Sequence, residues 1–170
     1  MADEVIEIPL LLENVLRYSL NNARDRMLKG EQVNPFSALA VGDTLFMEEH
    51  VYDTPEECFA SARRTVEKAR GARAYGFCYD GFVDTDFGRS DALIAQGGMP
   101  GEPYGHAIGL IYKVDKEGNL KFHNEPIYVG PCQNYMLTLE SIVGETPEKP
   151  AETPAEEDTA EGSEETAQAE

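Results

Sequence analysis

Four aspartates and an arginine fall within twelve residues, in the stretch Asp80-Gly81-Phe82-Val83-Asp84-Thr85-Asp86-Phe87-Gly88-Arg89-Ser90-Asp91. Carboxylates at the alternating positions Asp84 and Asp86, followed by Gly88, are the raw material of an oxygen-rich cation loop. The pattern is incomplete. The glycine comes one residue early for an EF-hand, a third consecutive acidic ligand is missing, and no bidentate Glu closes the loop. Asp and Gly are also what a tight strand connection needs, with Arg89 at hand to pair with a neighbouring carboxylate. The structural reading is the stronger of the two. The chemical one joins Asp80, Asp84, Asp86, Arg89 and Asp91 to His106, across the Gly97 to Gly105 loop, in a site for a small ligand or a reaction.

For covalent catalysis the nucleophiles on offer are Cys58, Cys78 and Cys132, and the bases are His50, His106 and His123. If the bulky faces of their strands coincide, Cys78 and His106 point to opposite sides of the sheet, which leaves Cys78 a small buried hydrophobe. His123 and Cys132 are too few and too widely spaced for zinc. His50 follows Glu48 and Glu49, a metal-like composition, but successive residues of a strand alternate between faces. No metal site is expected. Neither GxGxxG nor GxxxxGK[ST] occurs, and no cofactor is expected.

Two sets of residues could instead meet a partner. Tyr75, Phe77 and Tyr79 share one face of a strand whose other face carries only Ala74, Gly76 and Cys78. Met99 and Tyr104 sit in Gly97-Gly98-Met99-Pro100-Gly101-Glu102-Pro103-Tyr104-Gly105, a connection longer than a hairpin needs, and long loops often carry function.

These residues depend on a β-meander between Ala72 and Val114, with apolar runs at Tyr75–Tyr79, Ala92–Ala95 and Ala107–Val114. The bare positions Gly76 and Gly109 predict helices on the small face, because missing side chains let a helix approach closely. Two helices are available. Pro9 to Lys29 carries Leu12, Leu16, Leu20, Ala23 and Met27 at helical spacing, with Gly30 as a stop. Its arginines Arg17, Arg24 and Arg26 read as a solvated face. Thr54-Pro55-Glu56-Glu57 is a capping box with Pro at the first helical position, and the helix it starts should end by Gly71. Its small stripe of Ala62 and Ala69 suits the bare face of the sheet. Two strands, Phe36 to Val41 and Thr44 to Tyr52, lie between the helices around a Gly-containing turn, the second as a charged edge. Leu120 to Val129 reads as one further strand with Pro126 at an edge or bulge.

The chain is therefore expected to be α+β: a mainly antiparallel sheet of five to six strands, two helices on one face, in the order α-β-β-α-β-β-β-β. That order resembles the roadblock and profilin-like arrangement, a resemblance of topology that implies no activity. One domain should span 1–144. Residues 145–170 hold ten acidic residues and one lysine, rich in Glu, Thr, Pro and Ala, and read as a disordered acidic tail.

Half of the formal net charge of −18 falls on those 26 residues, ten acidic against one basic; the remainder holds 22 against 13. Such acidity opposes phosphate backbones and argues against nucleic acid, though a halophilic source would produce it too. No apolar run reaches the roughly 18 residues of a membrane span. Three cysteines without CxxC spacing fit a reducing compartment, and the cytoplasm is the expected location. The leading expectation is a non-enzymatic module that binds a protein partner or its own copy, through an edge strand or the aromatic face. The competing one is a ligand-binding protein or enzyme with its site between the 84–91 turn and the 97–105 loop.

Overall fold

The computed structural model describes residues 7–139. The acidic segment 145–170 and the domain boundary at 144 lie outside them.

Helix α1 spans Leu10–Leu28 and starts where its sequence permits. Pro9 cannot donate a backbone hydrogen bond, but its carbonyl accepts from the Glu13 N–H at 2.9 Å. Gly30, at φ 84°, turns the chain out of the helix. The expected stripe is buried at Leu12, Leu16, Leu20 and Ala23. Helix α2, Pro55–Glu67, begins with the reciprocal bonds of its capping box: Thr54 Oγ1 accepts from the Glu57 N–H at 3.2 Å, and Glu57 Oε1 accepts from the Thr54 N–H at 3.3 Å.

Seven strands form the sheet: β1 Phe36–Val41, β2 Thr44–Glu49, β3 Ala74–Thr85, β4 Gly88–Gly98, β5 Gly105–Val114, β6 Leu120–Phe122 and β7 Ile127–Cys132. Every pairing is antiparallel, in the spatial order β2-β1-β3-β4-β5-β6, with β7 also on β5. The α+β class with an antiparallel sheet is as expected. The count is higher because the Leu120 to Val129 run is two strands. Pro126, which has no N–H to give a ladder, stands in the break between them.

The two helices do not share a face, which corrects the expectation. Gly76 faces α1: a Cβ there would lie 3.1 Å from Val15 Cγ1 and 3.3 Å from Ser19 Oγ. Its neighbour Phe77 points the other way and takes the edge of Phe59 from α2, with ring centroids 4.9 Å apart. Helix α1 thus covers the small face of β3 and α2 the aromatic face. Ala69, just past the end of α2, packs with Tyr75 and Tyr135 rather than on glycines.

Register supplies the second correction. Tyr79 pairs with Ile94, and Ile94 with Gly109, so Gly109 shares the aromatic face of β3. The bulky residues Ile108, Leu110 and Tyr112 lie with Gly76 and Cys78 in the α1 core. Gly109 meets neither helix. A Cβ there would touch Val129, Val83 and Ile94 at 3.2 to 3.3 Å. Val83 of β3 and Gly109 of β5 flank a strand and still approach, so the sheet coils inward here. The bare glycine permits that curl, and Val83, Ala92, Ile94 and Ile111 form a small second core inside it.

Candidate functional site

Strands β3 and β4 pair in an unbroken register from Tyr75↔Gly98 to Thr85↔Gly88. Their neighbours stop earlier: β1 leaves β3 at Cys78, and β5 leaves β4 at Ala92. From Phe82↔Asp91 outward the sheet is a two-stranded arm, unpaired along both outer edges. Asp86 and Phe87 connect its strands, and Gly88, at φ 112°, accepts a backbone angle that side chains oppose. Thr85 Oγ1 donates to the Gly88 carbonyl at 2.9 Å and accepts from the Phe87 N–H at 3.1 Å, which fixes the turn.

An isolated two-stranded ribbon is marginal in water, so the arm needs an anchor on each face. On the inner face Val83 is buried in the small core. On the outer face Arg89 donates from Nε to Asp84 Oδ1 at 2.9 Å and lies 3.9 Å from the centre of the Phe82 ring. The Arg89 hydrogen bond holds the Asp84 carboxyl below the usual carboxylate range. Phe82 remains 51 % exposed, and Phe87 at the tip is 100 % exposed.

Asp80, Asp84, Arg89 and Asp91 therefore share the outer face, and Asp86 is at the tip. They do not form a cation cradle. Asp80 accepts from the Tyr112 hydroxyl at 2.7 Å and Asp84 is taken by Arg89. Among the described residues no group of three or more His, Cys, Asp or Glu is placed to hold a metal ion. His106 is elsewhere. The 84–91 turn and the 97–105 loop lie at opposite ends of β4, about 35 Å apart at 3.3 Å per residue, so they cannot close one site. Sequence reading passed over Phe82 and Phe87. The available signal was two aromatics flanking a polar turn that gives them nothing to bury against.

Tyr75 and Phe77 are fully buried and Tyr79 is partly covered, under Phe59 of α2 and Tyr135. They present no docking face, which corrects that expectation. Burial also raises the Tyr75 hydroxyl well above its ordinary pKa and pushes Tyr79 up to about 12. Met99 packs against the α1 core, whereas Tyr104 is half exposed with its ring edge-on to His106. The 99–104 loop is tied down by Asn134, whose Nδ2 donates to the carbonyls of Met99 at 2.8 Å and Glu102 at 2.9 Å. Its Oδ1 accepts from the Met136 N–H at 2.9 Å and occupies the space that a Cβ on Gly98 would take.

His50 is no solvated edge residue, as its sequence context implied. It is 1 % exposed between two serines, with Nε2 2.8 Å from Ser37 Oγ and Nδ1 2.9 Å from Ser61 Oγ. Burial lowers its pKa and keeps the ring neutral, so it joins β1, β2 and α2 by hydrogen bonds without a charge. Serine beside histidine suggests nucleophilic catalysis, but both ring nitrogens are spent on buried hydroxyls and no carboxylate orients the ring. Nor are Cys78 and Cys132 primed. Burial raises Cys78 strongly and Cys132 to about 11, away from the reactive thiolate. Cys78 and His106 lie on the same face, contrary to expectation, but strand β4 lies between their strands. His106 is instead within 3.0 Å of the Tyr128 hydroxyl through Nδ1.

An open concavity of about 520 Å³ lies between the start of α1 and β7, lined by Ile8, Leu10, Arg17, Ile127 and Tyr128 among others. Its one cation, Arg17, is held by Glu13 and Glu125 at 2.9 and 3.2 Å. The groove thus mixes apolar side chains with the carboxylates of Glu7 and Glu13 and offers no uncommitted cation. No helix of the described residues is long and apolar enough to cross a membrane.

Comparison with protein families, with characterised proteins and with solved structures finds no match to the chain. The likeness of element order to roadblock and profilin-like proteins is accordingly one of order alone.

Proposed function

We propose that this protein is a non-enzymatic interaction module whose contact element is the β3–β4 arm, with Phe87 as the anchor that enters a pocket on a protein partner. The observation that carries the reading is the complete exposure of Phe87 on an arm already ordered by Val83 and the Asp84–Arg89–Phe82 cluster. Phe87 and the half-exposed Phe82 put two aromatic rings at the end of the arm where a partner could bury them, and aromatic anchors dominate interface energetics. Pre-ordering lowers the entropy lost on binding.

The chemistry of the arm also describes the pocket. Asp86 and Asp91 make no ion pair among the described residues, so a partner should rim its apolar pocket with Lys or Arg. The arm is favoured over the edge strand β2, whose Glu48 and Glu49 are the charges that deter strand pairing. A catalytic reading has less support: His50 and His106 are hydrogen-bonded to hydroxyls, Cys58 and Cys78 are buried, burial raises the Cys132 thiol, and His123 is exposed without a side-chain hydrogen bond among the described residues.

The test places the photo-reactive amino acid p-benzoylphenylalanine at Phe87, and separately at exposed Tyr18 on α1, in the cells that make the protein. The expected result is a discrete protein adduct from position 87 that position 18 does not give. No adduct, or the same adducts from both positions, contradicts the proposal.

A further inference from the structure

Of the eight arginines in the chain, five are in ion pairs: Arg17, Arg24, Arg26, Arg63 and Arg89. The three others, Arg64, Arg70 and Arg73, make none among the described residues, and all three are exposed. With Lys68 they crowd four cations into ten residues at the end of α2, in a chain whose net charge is −18. Unpaired arginines clustered on so acidic a protein attract the nearest negative charge.

The last described residues pack at that same place. Tyr135, Met136 and Leu139 pack with Val66, Ala69 and Ala72 of the same end of α2, and the Arg63 guanidinium lies 5.5 Å from the centre of the Tyr135 ring. The described chain therefore leaves the fold beside the basic cluster. Residues 145–170 follow, with ten acidic residues and one lysine. Five residues, 140–144, separate Leu139 from Glu145, and the six backbone steps reach up to about 20 Å at full extension.

We infer that the acidic segment 145–170 docks on the basic end of α2 and neutralises Arg64, Lys68, Arg70 and Arg73. Charge complementarity and the exit point of the chain both select this occupant. Attachment raises its effective concentration into the millimolar range for a short linker, so an outside polyanion competes at a disadvantage. The contact is electrostatic and exposed, so salt should release it. The inference does not depend on the arm having a partner.

The experiment uses the full chain with Cys132→Ser and Ser163→Cys, a nitroxide on the new thiol, and amide NMR. At low salt the amides of 64–73 should lose at least half their intensity, and they should recover at about 1 M salt, where the screening length falls to roughly 3 Å. The triple substitution Arg64→Gln, Arg70→Gln and Arg73→Gln should also restore them, with the remaining spectrum showing that the fold is retained. Broadening that ignores salt, spreads evenly over the surface, or appears only on an isotope-labelled chain mixed with a spin-labelled one overturns the proposal.

Discussion

The guanidinium of Arg89 lies flat enough over Phe82 to bring its carbon within 3.9 Å of the ring centre, while the same group pairs with Asp84. One side chain thus covers an exposed aromatic and ties the two strands of the arm across its outer face. The pairing is fully solvated, so it acts on the local order of the arm and not on the global fold.

Arg89→Ala should accordingly speed amide hydrogen exchange in Phe82 to Asp91 while leaving exchange in Tyr75 to Tyr79 and the melting temperature unchanged. Loss of protection throughout the sheet would show that the cluster supports the core instead.

The close approach of α1 makes Gly76 intolerant of bulk. Gly76→Val should destabilise the fold by about 1–3 kcal/mol in urea denaturation, because Val15, Leu16 and Ser19 already stand at contact distance from a Cβ there. A neutral result would place α1 further from the sheet than the geometry has it.

His50 gives the fold a pH dependence of definite sign. Its folded pKa lies below the ordinary 6.5 and the unfolded chain binds the proton first, so stability falls as pH drops below about 6.5 and until the folded pKa is reached. The slope is at most about 1.4 kcal/mol per pH unit for this proton. His106, lowered by burial as well, adds in the same direction. In His50→Ala that share of the slope disappears, and the stranded Ser37 and Ser61 hydroxyls and the cavity cost about 2–4 kcal/mol. Denaturation midpoints between pH 5 and pH 8 measure both effects.

Asn134→Ala removes the clamp on the 99–104 loop, leaves the Glu102 carbonyl and the Met136 N–H unpartnered, and leaves the Met99 carbonyl only its 3.2 Å bond from the Glu102 N–H. A loss of about 1–3 kcal/mol is expected, with new proteolytic cleavage between Met99 and Tyr104. Unchanged protease resistance would mean that the Gly101 N–H bond to the Met136 carbonyl, at 3.0 Å, holds the loop by itself.

Local signals were legible in the sequence and relative placements were not. Thr54 to Glu57 announced α2 because a capping box needs only residues three apart, and Pro9 and Gly30 bracketed α1 for the same reason. Alternation assigned Tyr75 and Gly76 to opposite faces correctly. It could not relate Gly109 to either, because parity between strands follows from register, and register from the lengths of the β3–β4 and β4–β5 connections. The side taken by α2 is a property of the crossover from β2 to β3, which no residue pattern encodes locally. His50 looked like part of a charged edge because its serine partners, thirteen and eleven residues away, were invisible as neighbours. The aspartates drew attention to the arm as a cation or ligand loop, whereas the large apolar side chains that the fold leaves uncovered there are Phe82 and Phe87.

The most direct measurement on the arm is a competition. With the photo-reactive group at position 87, excess unmodified protein should abolish the adduct, and excess Phe87→Asp protein, equally folded because the side chain is fully exposed, should leave it in place. Equal suppression by both competitors would contradict the anchoring role of Phe87, and suppression by neither would show that no saturable partner site exists.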